Sequence, residues 1–485
     1  MPVDFVHSPC KLLHDMVGST AYDAVLQEYE AWWEREGRGM SDAVDRAGTP
    51  WIRMFDAAGK RVDEILYSPE YWRMLKRGYG SGVLWRAFRD RSLLPSFLLI
   101  YLTSFYDSGL SCPYTVSLST ALPLSKYGDG SLRERFLPAL LREDDTVWQG
   151  ATWMTEIKGG SDLGTNVETA AIPHGDAWRL TGEKYFASNA GAELAVVAAR
   201  PRGAPAGVRG LALFLLPRRR QSGELNYAIR RLKDKTATRS VPTGEIELRD
   251  SEAYLLGSTQ EGIYLILEVL NVSRVANSLG SVALAQRAIA DADEFAKYRV
   301  AFGRPIVEHP LLRSQFDQRV RELRAAFALA WEAGQLLNQV WRERRPYSER
   351  YHLFRLLAHL AKYWTAEFAV QTAKWCMEVH GGLGVLQEFR VERWLREAMI
   401  LAIWEGTAHR QLLDALEVMD RKQAHHTLIQ HLQSSTPAAE LRELVAAIDA
   451  HLKLPVYERE FGWEPLGSRL AKLTAEALLE RTLTR

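Results

Sequence analysis

Glu405 stands alone in the stretch LAIWEGTAHRQ (401–411), after an apolar run and before small residues. An apolar surround disfavours an ionised carboxylate and lifts its pKa toward the range in which it can take a weakly acidic proton. The same setting fits a partly buried structural acid, and the neighbouring residues leave both readings open. Four other stretches carry residues suited to holding an anion or a ring. MTEIKGGSDLGTN (154–166) places the hydroxyls of Thr155 and Ser161 around Gly159 and Gly160, which let backbone approach a ligand closely. It reads equally well as a turn that caps a strand. GEKYFASNAG (182–191) sets Phe186 among small polar residues, either a face for stacking or an ordinary core position. YRVAFGRPIVEHP (298–310) puts Arg299 at a helix end, where its planar fork would match phosphate oxygens or simply complement the helix dipole. EVHGGLGVLQEF (378–389) ends a helix in three glycines out of four residues and leaves bare backbone, a weak signal taken alone.

These residues need elements to position them. Residues 1–147 read mainly as helix: YDAVLQEYEAWWEREG repeats apolar residues at three- and four-residue spacing and stops at a glycine, and SPEYWRMLKRGYG begins on the capping residue Ser68. From 148 to 255 the texture changes to short β-rich runs such as AWRLTGEKYFAS, ELAVVAAR, GLALFLLPR and GEIELRD, with RPRGAPAGVRG as a hairpin connection. Such runs predict a small barrel or sandwich. From 256 to 420 the pattern is long and helical, as in a bundle, and 421–485 forms a helical extension.

The chain has 485 residues, 47% hydrophobic and 25% charged, with a net charge of +1. That is the profile of a folded protein of several domains, and the global balance points to no polyanionic partner. Cys10, Cys112 and Cys376 lie far apart, which fits a reducing compartment without a disulfide framework. The start, MPVDFVHSPCKLLHDM, lacks the apolar core of a signal peptide. The longest apolar run, 93–103, is broken by Pro95 and Ser96 and falls short of the roughly 20 residues a bilayer needs. The expectation is a cytoplasmic protein without a membrane segment.

In their order and spacing, the five stretches resemble the acyl-CoA dehydrogenase superfamily over residues from about 60 to 420. The segments DAAGKRVDEILYSPEYW, SGLSCPYTVSLSTALPL, ATWMTEIKGGSDL and RRLKDKTATRS look closest to its AidB-like branch, named for an alkylation-response protein. The resemblance implies an α+β fold: an N-terminal helical domain, a middle β-barrel domain and a C-terminal four-helix bundle, followed here by the short helical extension. It implies FAD as cofactor. Met154, Thr155, Gly160 and Ser161 match the family motif that lines the flavin and pyrophosphate, Phe186 takes the place of a tryptophan beside the isoalloxazine, and Ser188 that of a threonine near flavin N5. Arg299 and Phe302 match residues that reach the FAD of a neighbouring subunit, Gly382 lies at the dinucleotide, and Thr407 matches a phosphate contact. Trp404 is expected beside the flavin as a wall of the acyl site. Glu378, Pro310 and His409 each replace a common glutamine near the adenine end, which leaves the detailed contacts of Glu378 and His409 with the dinucleotide open.

Glu405 aligns with the family's catalytic base. The implied reaction is α,β-dehydrogenation of an acyl-CoA thioester, with Glu405 taking the α-proton while hydride passes to flavin N5. Asn271 and Arg274 in NVSR match a helix segment along the pantetheine path, with an intra-bundle ion pair as the other reading of Arg274, and Gly406 is expected beside the substrate. An electron-transfer flavoprotein or similar acceptor, and a homotetramer built as a dimer of dimers, follow from the same resemblance.

One local charge excess is hidden by the net value: residues 200–240 hold eleven basic residues, among them Arg218, Arg219 and Arg220, against two acidic ones. It reads as a solvated surface balanced by acids elsewhere, as a dock for CoA phosphates or an acidic electron carrier, or as a nucleic-acid footprint. The AidB-like branch has been linked to DNA through its C-terminal region, which supplies a rival reading: a flavin-bearing stress-response protein that binds nucleic acid and keeps vestigial dehydrogenase activity. Here residues 421–485 carry nine basic and eight acidic residues, a poor polyanion binder, and AAELRELVAAIDAHL is an amphipathic packing helix. His425, His426 and His431 show no acidic or cysteine partner at ligand spacing, so no metal is expected.

Overall fold

The computed structural model describes residues 4–432 and 438–484. The chain divides into two compact units: residues 32–103 with 107–273, and residues 1–31 with 104–106 and 274–485.

The first unit is built around a barrel. Strands Leu194–Pro201, Ala170–His174, Ala177–Ser188, Thr243–Leu256 and Ala212–Pro217 follow one another by hydrogen bonding, and the last pairs back to the first, closing the ring. Gly150–Trp153 and Ala228–Leu232 add to its sides. The loop of residues 202–211 joins an antiparallel pair, as its glycines and prolines predict. Inward positions carry Trp153, Phe214, Tyr227, Ile229 and Ile246, all buried, and small alanines fill the space between them. Helix Ser111–Tyr127 lies against strand Gly150–Trp153, and Gly150 donates to Ser117 Oγ at 2.8 Å. A Cβ on Gly150 would come within 2.6 Å of Thr120 Oγ1, so the residue must be glycine for the helix to sit there.

Two details depart from the sequence reading of residues 1–147. Trp51–Phe55 and Arg61–Leu66 form an antiparallel hairpin. Their short alternation, closed by Asp56 accepting from the Ala58 and Lys60 amides, is easily lost between helical stretches. Gly37 does not stop the helix that reaches it: Asp23–Trp32 continues through a wide π turn, Trp33–Gly37, into Arg38–Ala47. Gly37 serves packing instead, since a Cβ there would lie 2.4 Å from the buried ring of Trp33.

The second unit is helical. Its long elements are Gly262–Tyr298, which contributes residues from Arg274 onward, Pro310–Val340 and Glu349–His380, followed by Val391–Ile403 and Ala408–Lys422. The N-terminal segment docks on the first of these: Gln286 Nε2 donates to the carbonyls of Phe5, Val6 and Ser8, and His7 lies 2.7 Å from Asp293. In the extension, Trp463–Leu483 packs on Pro310–Val340, and Arg481 and His431 each reach Glu332 at 2.5 Å. Helix Ala438–His451 buries Leu441, Leu444, Val445 and Ile448, the spacing of an amphipathic packing helix. Among the described residues no helix is long and apolar enough to cross a membrane.

Candidate functional site

In the helical unit Glu405 occupies the break between Val391–Ile403 and Ala408–Lys422, with φ +58°, a left-handed conformation that non-glycine residues rarely adopt. The residue is half-buried, yet its Oε2 is sealed from solvent and has no hydrogen-bond partner. Burial pushes the carboxyl up to about 7, against the opposing pull of Arg274 and Lys362. Lys362 lies on Glu349–His380, donates to Gly406 O at 2.6 Å and Ala402 O at 3.1 Å, and is itself drawn down to about 7 by burial. Gln411 donates to Glu405 O at 2.9 Å and accepts from His359 Nδ1 at 2.9 Å. Burial holds His359 down near 3, so its ring is neutral. Gly406 has φ +102°, and a Cβ on it would meet Gln411 Nε2 at 2.4 Å. The turn is thus clamped through its carbonyls while the acid's own oxygen stays unengaged.

Arg274 is buried, directs Nε toward Glu405 O at 3.4 Å and pairs with Asp414 at 3.3 Å. This is the intra-bundle ion pair weighed for it, and the same residue faces the Glu405 turn. Trp404 donates from its indole to Asn277 Oδ1, which fixes the ring beside the acid. Thr407 caps Ala408–Lys422 by position, its hydroxyl 3.2 Å from the exposed His409 ring. Asn271, in the barrel unit's portion of Gly262–Tyr298, is buried.

Two of the five stretches meet in the barrel unit. Thr155 O accepts from Tyr185 N at 3.0 Å, which brings the Met154–Ser161 segment beside Phe186. Phe186 is not a core residue: it is 55% exposed, and Lys233 Nζ sits 4.6 Å from its ring centre and 3.3 Å from that of Tyr185. Gly160 is pressed against Thr155, whose Oγ1 would lie 2.4 Å from an added Cβ. Met154 is buried, Ser161 is exposed, and Ser188 is half-buried with Oγ 3.5 Å from Thr243 Oγ1. Asp162 caps the short helix Leu163–Asn166.

The other two lie in the helical unit. Arg299 follows the last residue of Gly262–Tyr298 and is exposed, and Phe302, at the tip of the hairpin Val300–Ala301 with Arg304–Pro305, is 96% exposed with φ +51°. In the glycine loop, Gly381 takes φ +60° to end Glu349–His380, and Gly384 is wedged so that a Cβ would meet Met377 O at 2.4 Å. Gly381 and Gly382 face open space, while Glu378 pairs with Lys374.

The basic segment is largely engaged. Arg230 pairs with Glu183 and Glu247, and Arg231 and Lys233 with Glu245, whose carboxyl these hydrogen bonds hold at about 2. Arg200, Arg218 and Arg220 donate to backbone carbonyls, and Arg218 also covers the Tyr227 ring.

Sequence reasoning missed Lys362, Gln411 and His359. Lys362 had a signal, a single cation after the wholly buried run Leu356–Ala361. It also missed the pair beneath the Thr155 segment, where Lys184 Nζ lies 2.6 Å from Glu156 Oε1, both buried. Metal was excluded for want of an acidic partner. That ground fails, because Asp449, on another helix, lies 2.9 Å from His425.

The chain matches the model of the adaptive response protein AidB N-terminal domain over residues 13–144, and those of the acyl-CoA dehydrogenase middle and C-terminal domains over 151–251 and 260–420. Acyl-CoA dehydrogenase family member 11 of Caenorhabditis elegans is 30% identical over 389 residues, 77% of this chain and 63% of that protein, so the chain spans less than two thirds of that relative. The putative acyl-CoA dehydrogenase AidB of Escherichia coli K12 is 29% identical over 398 residues, 78% of this chain and 71% of that one. Among solved structures, the Bd2924 apo-form superposes with a TM-score of 0.87 at 30% identity, covering 98% of this chain and 96% of that one. C. elegans ACDH-11 in complex with C11-CoA superposes with a TM-score of 0.86 at 25% identity, covering 98% and 86%.

Proposed function

Because the chain belongs to the acyl-CoA dehydrogenase superfamily, in its AidB-like branch, we propose that it dehydrogenates an acyl-CoA thioester between the α and β carbons, with FAD as cofactor. The observation that carries this reading is the sealed, unpartnered Oε2 of Glu405 in an apolar setting that lifts its pKa to about 7. A structural acid would be hydrogen-bonded or paired. A base must keep a lone pair free and titrate near the working pH.

The residues present fit the cofactor. Phe186 offers an exposed ring face for stacking, the Thr155–Ser161 turn presents hydroxyls on closely packed backbone, and Gly382 presents backbone to open space. FAD, when bound, supplies the acceptor for the hydride that leaves the β carbon. Glu405 takes the α-proton on its carboxylate. Its backbone amide is the chain's donor toward the thioester oxygen, where negative charge builds as the proton leaves. Lys362 and Gln411 hold the turn by its carbonyls, leaving the carboxyl free, and Trp404 is fixed by Asn277 as a wall of the acyl site. Arg274 and Lys362 keep the base from rising further, so that it ionises near neutrality. Arg299 and Phe302, both exposed, are the residues assigned to a second subunit's FAD, within a tetramer of two dimers. An electron-transfer flavoprotein is the assigned acceptor.

The test is anaerobic bleaching of the bound flavin by a panel of acyl-CoAs that includes an undecanoyl thioester, the ligand class of the worm structure. Bleaching by at least one thioester, abolished in Glu405→Gln, is the expected result. Absence of bleaching by every thioester, with salt-sensitive DNA binding in its place, would establish the rival reading. The match of residues 13–144 to the AidB N-terminal domain favours that rival. The engagement of Arg218, Arg230 and Arg231 within the barrel unit speaks against it.

A further inference from the structure

We propose that His425, His426 and Asp449 form a binding site for a borderline divalent cation, represented by Zn2+, in the C-terminal extension. His425 and His426 open helix Ala424–His431, and Asp449 lies near the end of Ala438–His451. His425 Nε2 is 2.9 Å and His426 Nε2 is 3.1 Å from the same carboxylate oxygen, Asp449 Oδ1, and the three candidate ligand atoms all lie within 4.8 Å of one another. Zinc bonds of about 2.0–2.2 Å imply tetrahedral edges of roughly 3.3–3.6 Å, so the two imidazole–carboxylate edges need open by only a few tenths of an ångström, and the edge between the imidazoles adjusts to the same length as the ion binds.

The donor set selects the metal class. Two imidazoles and one carboxylate suit zinc and its transition-metal neighbours, whereas magnesium and calcium call for oxygen ligands throughout. A metal requires neutral imidazole and ionised carboxylate, and the shifts at His425 and Asp449 run in those directions. Burial lowers the His425 pKa. Burial raises that of Asp449, but the two histidines outweigh it and the net shift is downward. Access is one-sided. The His425 side chain is fully buried and fixed by packing, while His426 and Asp449 are 48% and 36% exposed and leave a route from solvent. Three protein ligands leave a fourth position to water. Bound there, the ion would tie helix Ala424–His431 to helix Ala438–His451.

The experiment uses the full-length chain without a polyhistidine tag, stripped with chelator and dialysed against Zn2+ alone, followed by metal analysis and thermal denaturation. One Zn2+ per chain and a rise in Tm that grows with free Zn2+ are expected. Loss of an outer-shell partner weakens metal sites about 10- to 100-fold, so removing a ligand in His426→Asn or in Asp449→Asn should cost more than about tenfold in affinity. Both variants keep the wild-type fold in chelator, because the exposed histidine and the near-isosteric amide leave the buried His425 in place. Co2+ in the same site should give the visible bands of four-coordinate cobalt. Failure to bind stoichiometric Zn2+, or equal retention by both variants, overturns the proposal.

Discussion

Lys362 Nζ lies 2.6 Å from Gly406 O, so a buried ammonium from one long helix grips the turn that presents Glu405. The contact sets both the position of the acid and the field it feels. Removing it separates these roles from ordinary packing.

Lys362→Met takes away a positive charge that lowers the Glu405 pKa and a donor that holds the turn. The rising limb of the pH–rate profile for flavin reduction should move to higher pH, with a fall of about tenfold or more in the rate at pH 7. A slower enzyme with an unmoved limb would assign Lys362 to packing alone.

Glu405→Gln should lower the rate of flavin reduction by about two to four orders of magnitude while leaving FAD bound. In the wild type the rate rises with pH as the carboxyl ionises near 7, and because Lys362 titrates in the same range, the apparent value belongs to the pair.

The same variant has a stability signature. A carboxyl raised from 4.5 to about 7 on folding binds more protons folded than unfolded between those values, so it costs stability as pH rises through that window. Thermal denaturation should show Glu405→Gln gaining on the wild type from pH 5 to pH 8. A constant difference across that range would place the carboxyl in an unperturbed setting.

Phe186→Ala removes the exposed ring face. Stacking contributes about 0.5–1.5 kcal/mol beyond burial, so FAD should bind roughly 2- to 12-fold more weakly, as read by flavin fluorescence on titration of the stripped protein. Unchanged affinity would remove Phe186 from the flavin wall.

Lys184→Met leaves Glu156 as an uncompensated buried charge. Such losses cost about 3–5 kcal/mol, so chemical denaturation of the barrel should shift by that amount. The expected order is a larger loss for Lys184→Met than for the double change with Glu156→Gln, because the second substitution removes the stranded charge.

The outline of the fold was legible because its signals are local and repeated: helices long enough to average out exceptions, and strands bounded by turn residues between 150 and 256. The hairpin Trp51–Phe55 with Arg61–Leu66 escaped, since five or six alternating residues between helices carry little weight. Glu405 was legible as a candidate because its apolar surround is partly its own sequence neighbours. Lys362 and Gln411 were not assigned, because the clamp is assembled from separate helices and no local spacing encodes it. The meaning of His425 was hidden in the same way, its acidic partner lying 24 positions along the chain on another helix. The basic run from 200 to 240 misled in the opposite direction: its charges are adjacent in sequence, while the glutamates that neutralise them come from other strands.

Glu405 holds φ +58° in a turn whose next residue is a glycine at φ +102°. A left-handed conformation costs an ordinary side chain of the order of 1 kcal/mol or more and costs glycine little. The position proposed for the base is therefore one at which the fold would be better served by no side chain at all. Glu405→Gly should make the protein more resistant to heat and inert toward thioesters, so that selection for thermostability alone would drift away from the catalyst.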